Sequence, residues 1–242
     1  MMNPAAMQQT FSGAAHTYDL VNHVLTFGLD IVWRGRAARV AASGGGGRWL
    51  DICSGTGDMA VTLNRLAGED TRVYAVDLTP AMLARLTGKR GAAGIAPAVA
   101  DVRTLPFGDE TFDLVTISFA TRNVNLSREA LLEVFREVRR VLKPEGRFVG
   151  VETSQPPNRV VRWLFHRYIG LFVRPVGQII SGSRAAYAYL AYTIPRFYNA
   201  AELGALLQEA GFAEVEITPM LLGIAAIHGA RGRATRMGKE TL

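Results

Sequence analysis

Short apolar runs alternate with amphipathic stretches through the middle of the chain, and the two periods, about 2 and about 3.6, change places at regular intervals. Residues 48–52 (RWLDI) predict a buried strand, 58–66 a helix, 72–76 a strand, and 80–86 a helix opened by Thr79 as N-cap with Pro80 at its first position. Further strands are predicted at 98–100, 112–118 and 147–151, with a long amphipathic helix over 128–142. A helix over 201–210 ends at Gly211, and two strands, 214–218 and 222–227, follow closely enough to pair antiparallel. Alternation of this kind predicts an α/β fold: seven strands, mostly parallel with an antiparallel last strand, and helices on both faces.

Two stretches fall outside the alternation. Up to residue 42 the chain is helical in character, with Tyr18, Val21, Leu25 and Leu29 at spacings of three and four on one face, and the glycines of 43–47 form a joint before the first strand. Between Glu152 and Ala200 lies an insertion rich in Arg, Tyr, Trp and Phe. A segment of that length is usually a binding lid or carries helices of its own. The expected organisation is one domain over 1–242, with 1–42 as an N-terminal helical lid and 153–199 as a substrate cap. The apolar stretch 160–180 is broken by Arg162, His166, Arg167, Arg174 and Pro175, so it is not expected to span a membrane.

Composition narrows the class. Hydrophobic residues make up 49 % of the 242, enough for a full core, and the only cysteine, Cys53, excludes an internal disulfide and a cysteine-built metal centre. No metal site is expected. The first twenty residues lack a basic leader followed by an apolar core, which predicts a cytoplasmic protein. A net charge of +6 concentrates late, in Arg159, Arg162, Arg167, Arg174, Arg184 and Arg196 and in a tail containing Arg231, Arg233, Arg236 and Lys239. With no nucleic-acid-binding pattern beside it, nucleic acid is not an expected partner. Homodimerisation is left open.

The run LDICSGTGDMA (50–60) holds the candidate chemistry. Gly55-Thr56-Gly57-Asp-Met-Ala60 satisfies a dinucleotide fingerprint, and Asp77, twenty positions after Gly57, can accept hydrogen bonds from ribose hydroxyls. Asp77 alone does not choose between nucleotides. Asp51 and Asp58 flank the turn, and a carboxylate repels a pyrophosphate but attracts an ammonium or sulfonium. S-adenosylmethionine (SAM) has both cations and no phosphate. Asp101, Val102 and Ser118 lie at the next strand ends, where an open parallel sheet binds its ligand; Asp101 could accept from an adenine amine while Val102 packs on the ring. Taken singly, each aspartate reads equally well as a cap or turn residue.

Taken in order, LDICSGTGD, YAVDLTPAML, ADVRTLPFGDETFDLV and VLKPEGRFV resemble a class I, Rossmann-like SAM-dependent methyltransferase. FSGAAHTYDLVNHVLTFGLDIVWR, ISFATRNV, AYAYLAYTI and GIAAIHGAR extend the resemblance to the ubiquinone/menaquinone biosynthesis C-methyltransferase family, from Phe11 to about His228. The resemblance implies that Gly55, Thr56, Asp77, Asp101, Val102 and Ser118 contact the cofactor. Tyr18 would help close the N-terminal helix over its methionine end. It also implies methylation of a ring carbon of a prenylated demethylquinol, either demethylmenaquinol or the ubiquinone precursor. Departures are Ser54 and Ala120 in place of glycines, Asn125 after Arg122-Asn123-Val124, and PRFYNAAEL in place of a Pro-Asp-Gln run.

Within that resemblance Arg122 and Asn123 take the catalytic roles. Arg122 stays protonated, which suits it to stabilising a developing phenolate, with Asn123 holding the hydroxyl or Arg122. His16, His23, His166 and His228 are the conventional bases to weigh. Val161, Phe165, Tyr168 and Phe172 form an apolar stripe for a prenyl tail, with Arg162 and Arg174 available to anionic lipid, so transient contact with the inner face of the membrane is expected. The rival readings are a methyltransferase acting on another lipid such as a phospholipid amine, an NAD-dependent dehydrogenase, and a SAM-binding protein without turnover.

Overall fold

A computed structural model describes residue 8, residues 12–13 and residues 15–232. Phe11 and the tail residues Arg233, Arg236 and Lys239 lie outside the described residues. Seven strands form one sheet: β1 (Arg48–Ile52), β2 (Arg72–Asp77), β3 (Ala96–Val99), β4 (Phe112–Ser118), β5 (Leu142–Thr153), β6 (Ala213–Met220) and β7 (Ala225–Arg231). Their order is β3-β2-β1-β4-β5-β7-β6, parallel except for β7, which pairs antiparallel with both β5 and β6. The expected α/β sheet with an antiparallel last strand is what the chain forms.

The central strands are apolar on both faces, and helices cover both. On one side Leu50, Ile52, Phe112 and Val115 pack with α6 (Arg128–Val141) and α10 (Ala200–Glu209). On the other, Trp49, Val73, Ala75 and Leu114 pack with α2 (Leu29–Ala42), α3 (Asp58–Leu66) and α4 (Pro80–Thr87). The period-2 alternation of Trp49 and Leu50 therefore sorts them to opposite cores. Helix ends follow local chemistry: Ser127 caps α6 through the Ala130 N–H, and Asn199 with Glu202 forms a capping box on α10. Thus Asn199 gives the departing run PRFYNAAEL a structural role. Thr79 stands before α4 but its side chain makes no cap bond; its backbone N–H is bound instead by Asp77 Oδ1 at 2.8 Å.

Two elements depart from expectation. The N-terminal helix is two helices, α1 (Tyr18–Leu25) and α2, broken where Phe27 and Gly28 take left-handed φ of 53° and 75°. Leu29 accordingly leaves the face of Val21 and packs on the sheet-side core. The last strand begins at Ala225, because Leu221–Gly223 form a 3₁₀ turn with φ of 43° and 56° at Leu221 and Leu222.

The insertion folds as α7 (Arg159–Tyr168), a π-helical turn (Ile169–Val173), α8 (Arg174–Ser181), α9 (Arg184–Thr193) and a short 3₁₀ turn. Phe165, Ile169, Val173, Tyr187 and Leu190 make a separate apolar cluster, and Val21 of α1 is fully buried in it. The π turn alters the expected stripe: Phe165 is buried, whereas Phe172 is pushed out and stacks on Tyr168 at 5.2 Å between centroids. None of the helices among the described residues is long and apolar enough to cross a membrane.

Candidate active site

The sheet reverses strand order between β1 and β4, and the carboxyl ends there open into a cavity. Tyr18, Gly55, Thr56, Asp77, Asp101, Val102, Ser118 and Asn123 all line it. Gly55 turns with φ of +56°, and a Cβ there would meet nothing within 4 Å, so the backbone lies open to a ligand. Gly57, with φ of +86°, is glycine for packing instead, since its Cβ would fall 2.4 Å from the Leu86 side chain.

The hydrogen bonds of the loop decide what it can hold. The Gly55 N–H donates to Asp77 Oδ2 at 2.8 Å and the Gly57 N–H to the Ser54 carbonyl at 2.9 Å. Two donors of the turn are thereby used within the protein. Each Asp77 oxygen accepts one backbone N–H and keeps a lone pair for a ribose hydroxyl; burial raises this carboxyl above its usual range. Val76, Leu78, Val102 and Leu126 supply apolar walls, and these donors and walls fit a nucleoside without phosphates.

Two acids act differently from expectation. Asp51 does not line the cavity. It is fully buried, accepting from Ser54 Oγ at 2.6 Å and Thr116 Oγ1 at 2.8 Å, and burial pushes its pKa up to about 7. It fastens the loop to the sheet rather than offering a charge to the ligand, and this is the use of the departing Ser54. Asp58 does line the cavity, but Lys89 and Arg34 both pair with it. Asp101 is held by Arg103, whose Nη2 donates to Oδ2 at 2.6 Å, and its pKa is lowered chiefly by that bond.

Arg122 and Asn123 lie on the short helix α5 (Thr121–Val124), and they face different spaces. Asn123 lines the first cavity. Arg122 lines a second, of about 420 Å³, walled by apolar residues of α1, α2, α7 and the π turn, among them Leu25, Trp33, Phe165 and Ile169. Tyr18 and Arg34 border both cavities, so the two meet at those side chains. Arg122 Nη1 pairs with Glu152 Oε1 at 2.7 Å, and both side chains are nearly fully buried. Its Nε and Asn123 Oδ1 are buried without partners, one donor and one acceptor side by side in sequence.

None of the four histidines lines either cavity among the described residues. His228 Nε2 donates to the Ala200 carbonyl at 2.8 Å, His166 contacts Gln155, His16 contacts Arg85, and His23 pairs with Asp30. His23, Asp30 and Asp58 converge within 4.8 Å, but the Arg34 guanidinium bridges the two carboxylates. Sequence reasoning passed over Arg34, Asp30 and Glu152. Asp30 and Arg34 carry an i, i+4 signature, and Glu152 closes an apolar strand as Asp77 does.

The model of the ubiE/COQ5 methyltransferase family matches residues 1–231. The chain belongs to that family. It is 37 % identical over 224 residues to the ubiquinone/menaquinone biosynthesis C-methyltransferase UbiE of Paracoccus denitrificans, covering 90 % of this chain and 87 % of the relative. UbiE of Pseudomonas entomophila is 36 % identical, with 91 % and 86 % covered. Among solved structures, a SAM-dependent methyltransferase from Thermotoga maritima superposes with a TM-score of 0.66 at 17 % identity, over 94 % of this chain and all of that one. The protein is a SAM-dependent methyltransferase of class I fold.

Proposed function

We propose that this methyltransferase adds a methyl group to a ring carbon of a prenylated demethylquinol, with demethylmenaquinol as the first acceptor to test. The observation that carries the reading is the apolar second cavity, which meets the cofactor cavity at Tyr18 and ends on Arg122. The names of the relatives point the same way. When bound, SAM supplies an electrophilic methyl group on a sulfonium. Asp77 would hold its ribose, Asp101 and Val102 its adenine, and Gly55, Thr56 and Ser118 the turn around it. Tyr18 would close α1 over the methionine end.

Arg122 fits the role of charge stabiliser: a guanidinium stays protonated, so it lowers the energy of a phenolate without taking the proton itself. Asn123, on the cofactor side, would hold the ring edge or an ordered water. In this reading α1 and α2 form the lid, and residues 153–199 the cap that houses the tail. The mouth of the second cavity is itself apolar: Phe27, Leu164 and Leu222 line it and remain 81, 55 and 72 % exposed. Arg159 and Arg162 share α7 with Leu164, and Arg167 and Arg174 flank the π turn. A rim of that composition suits transient docking on the inner face of an anionic membrane, from which the tail enters.

The test is transfer of label from methyl-labelled SAM to demethylmenaquinol, the demethylated ubiquinone precursor and phosphatidylethanolamine, with the product identified by mass spectrometry. Labelled menaquinol is expected. Label in the phospholipid alone would sink the quinol reading, and the two quinols, compared in one assay, separate the finer substrates.

A further inference from the structure

A carboxylate with no assigned role lies behind the Arg122 and Thr153 wall of the second cavity. Glu152 follows the apolar run of β5 and is 2 % exposed. Its Oε1 accepts from Arg122 Nη1 at 2.7 Å, from the Thr153 backbone N at 2.8 Å and from Thr153 Oγ1 at 2.9 Å; its Oε2 accepts from the Arg122 backbone N at 3.3 Å. One carboxylate therefore grips both the head and the root of Arg122. Thr153 and Arg122 both line the cavity, which places this grip directly behind the wall the substrate would touch.

The remaining surroundings leave Arg122 little other support. Its Nη1 also reaches the Phe119 carbonyl at 3.3 Å, and the buried Nε has no partner. A guanidinium is a planar fork, so fixing Nη1 and the backbone fixes where the other donors point. Tyr18 of α1 and Tyr189 of α9 feel the charges of both Arg122 and Glu152, Tyr18 feels Arg34 of α2 as well, and His228 of β7 feels Glu152.

We infer that Glu152 is a positioning residue of the reaction: it aims the Arg122 guanidinium at the substrate hydroxyl and offsets part of its charge. This rests on the quinol reading above. A carboxylate so placed orients a donor to the hydroxyl only through Arg122, so its removal lowers turnover only while Arg122 is present.

The test is a double-mutant cycle on the full chain, using E152Q, R122Q and R122Q/E152Q. Two quantities are read: kcat with demethylmenaquinol, and the ionisation of bound 2-methyl-1-naphthol, followed by absorbance with S-adenosylhomocysteine present. E152Q is expected to lower kcat on the order of 10–100-fold, with S-adenosylhomocysteine affinity within about threefold of the parent. It should also shift the apparent pKa of the bound naphthol. In the R122Q background the same change should leave kcat unaltered, with the naphthol value moving only by the loss of the carboxylate's own charge, whereas E152D should restore the naphthol value toward that of the parent. Losses that add across the cycle, or a naphthol pKa unmoved by E152Q, would show Glu152 to be a strand buttress and overturn the assignment. Should E152Q fail to fold, R122Q/E152Q, which buries no lone charge, is compared with R122Q alone: equal kcat supports the assignment and a further fall overturns it. A parent protein that methylates no quinol and binds no naphthol removes the quinol reading and the assignment together, while an active parent with additive variants removes the assignment alone.

Discussion

At the scale of single residues, the aspartates after the strands have the same sequence signature and three different uses. Asp77 lines the first cavity, Asp51 fastens the loop from behind, and Asp58 is neutralised by Lys89 and Arg34. Sequence placed all three at strand ends but could not say which way each side chain pointed, because that depends on Ser54 and Thr116 for Asp51 and on a lysine thirty-one positions away for Asp58. Asp77→Ala should weaken SAM binding by at least about 10–100-fold, the worth of a charge-assisted hydrogen bond of about 1.5–3 kcal/mol, because it also frees the Gly55 and Thr79 N–H groups that the carboxylate holds; titration calorimetry reads it directly. Asp51 gives a pH signature. Its folded pKa, about 7, lies above the unfolded value of 3.8, so the folded state holds the extra proton. Its contribution to stability is fully present below about pH 4 and is lost as pH rises through 7. Asp51→Asn removes that loss: the parent should become less stable relative to the variant by about 1–3 kcal/mol between pH 5 and 8 in denaturant titrations, and parallel curves would refute the assignment of this proton.

At the scale of elements, the central strands and the helices between them were legible because each has a clean period and a capping or turn residue at its end. Strands β1 and β4 and helix α3 take the bounds that their apolar patterns predict. One misread element was β7. Leu221 and Leu222 extend the apolar run toward Ile227, yet they adopt left-handed backbone and serve the second cavity, so tertiary use overrides a strand-like pattern. The cap was legible as an insertion but not as a structure, since its packing depends on close approach between helices. Gly177 of α8 shows how close: a Cβ there would sit 2.1 Å from Cγ of the buried Tyr187 on α9. Gly177→Ala should therefore part the two helices at a cost of about 1–3 kcal/mol. Because the cap cluster is separate from the cores on the sheet, the expected result is a raised KM for the quinol with SAM affinity unchanged, measured by steady-state kinetics and calorimetry on one preparation.

At the scale of the whole molecule, two cavities of different character meet at one point. The mixed one, with Asp58, Asp77 and Asp101 among apolar walls, lies over the strand ends, and the almost wholly apolar one runs between the N-terminal helices and the cap toward a rim of Phe27, Leu164 and Leu222. A prenyl chain held there is stabilised by about 0.8 kcal/mol per buried methylene, and the same energy holds it in a bilayer, so transfer is close to neutral overall and contact between rim and membrane removes the barrier of passing through water. The four arginines around α7 and the π turn add about 1 kcal/mol each near an anionic surface, and that part is screened within a Debye length of about 10 Å at 0.1 M salt. The protein should consequently float with vesicles containing phosphatidylglycerol and not with pure phosphatidylcholine. Binding should fall as sodium chloride is raised from 0.1 to 0.5 M, following roughly the same screening. Replacing Arg159, Arg162, Arg167 and Arg174 by Gln should abolish flotation while methylation of a short-tailed, water-soluble quinol persists, because none of the four lines either cavity. Replacing Phe27 and Leu222 by Ser should weaken flotation at all salt concentrations, since that contribution is apolar. Equal flotation of parent and both variants would mean that the tail reaches this cavity by another route than the rim.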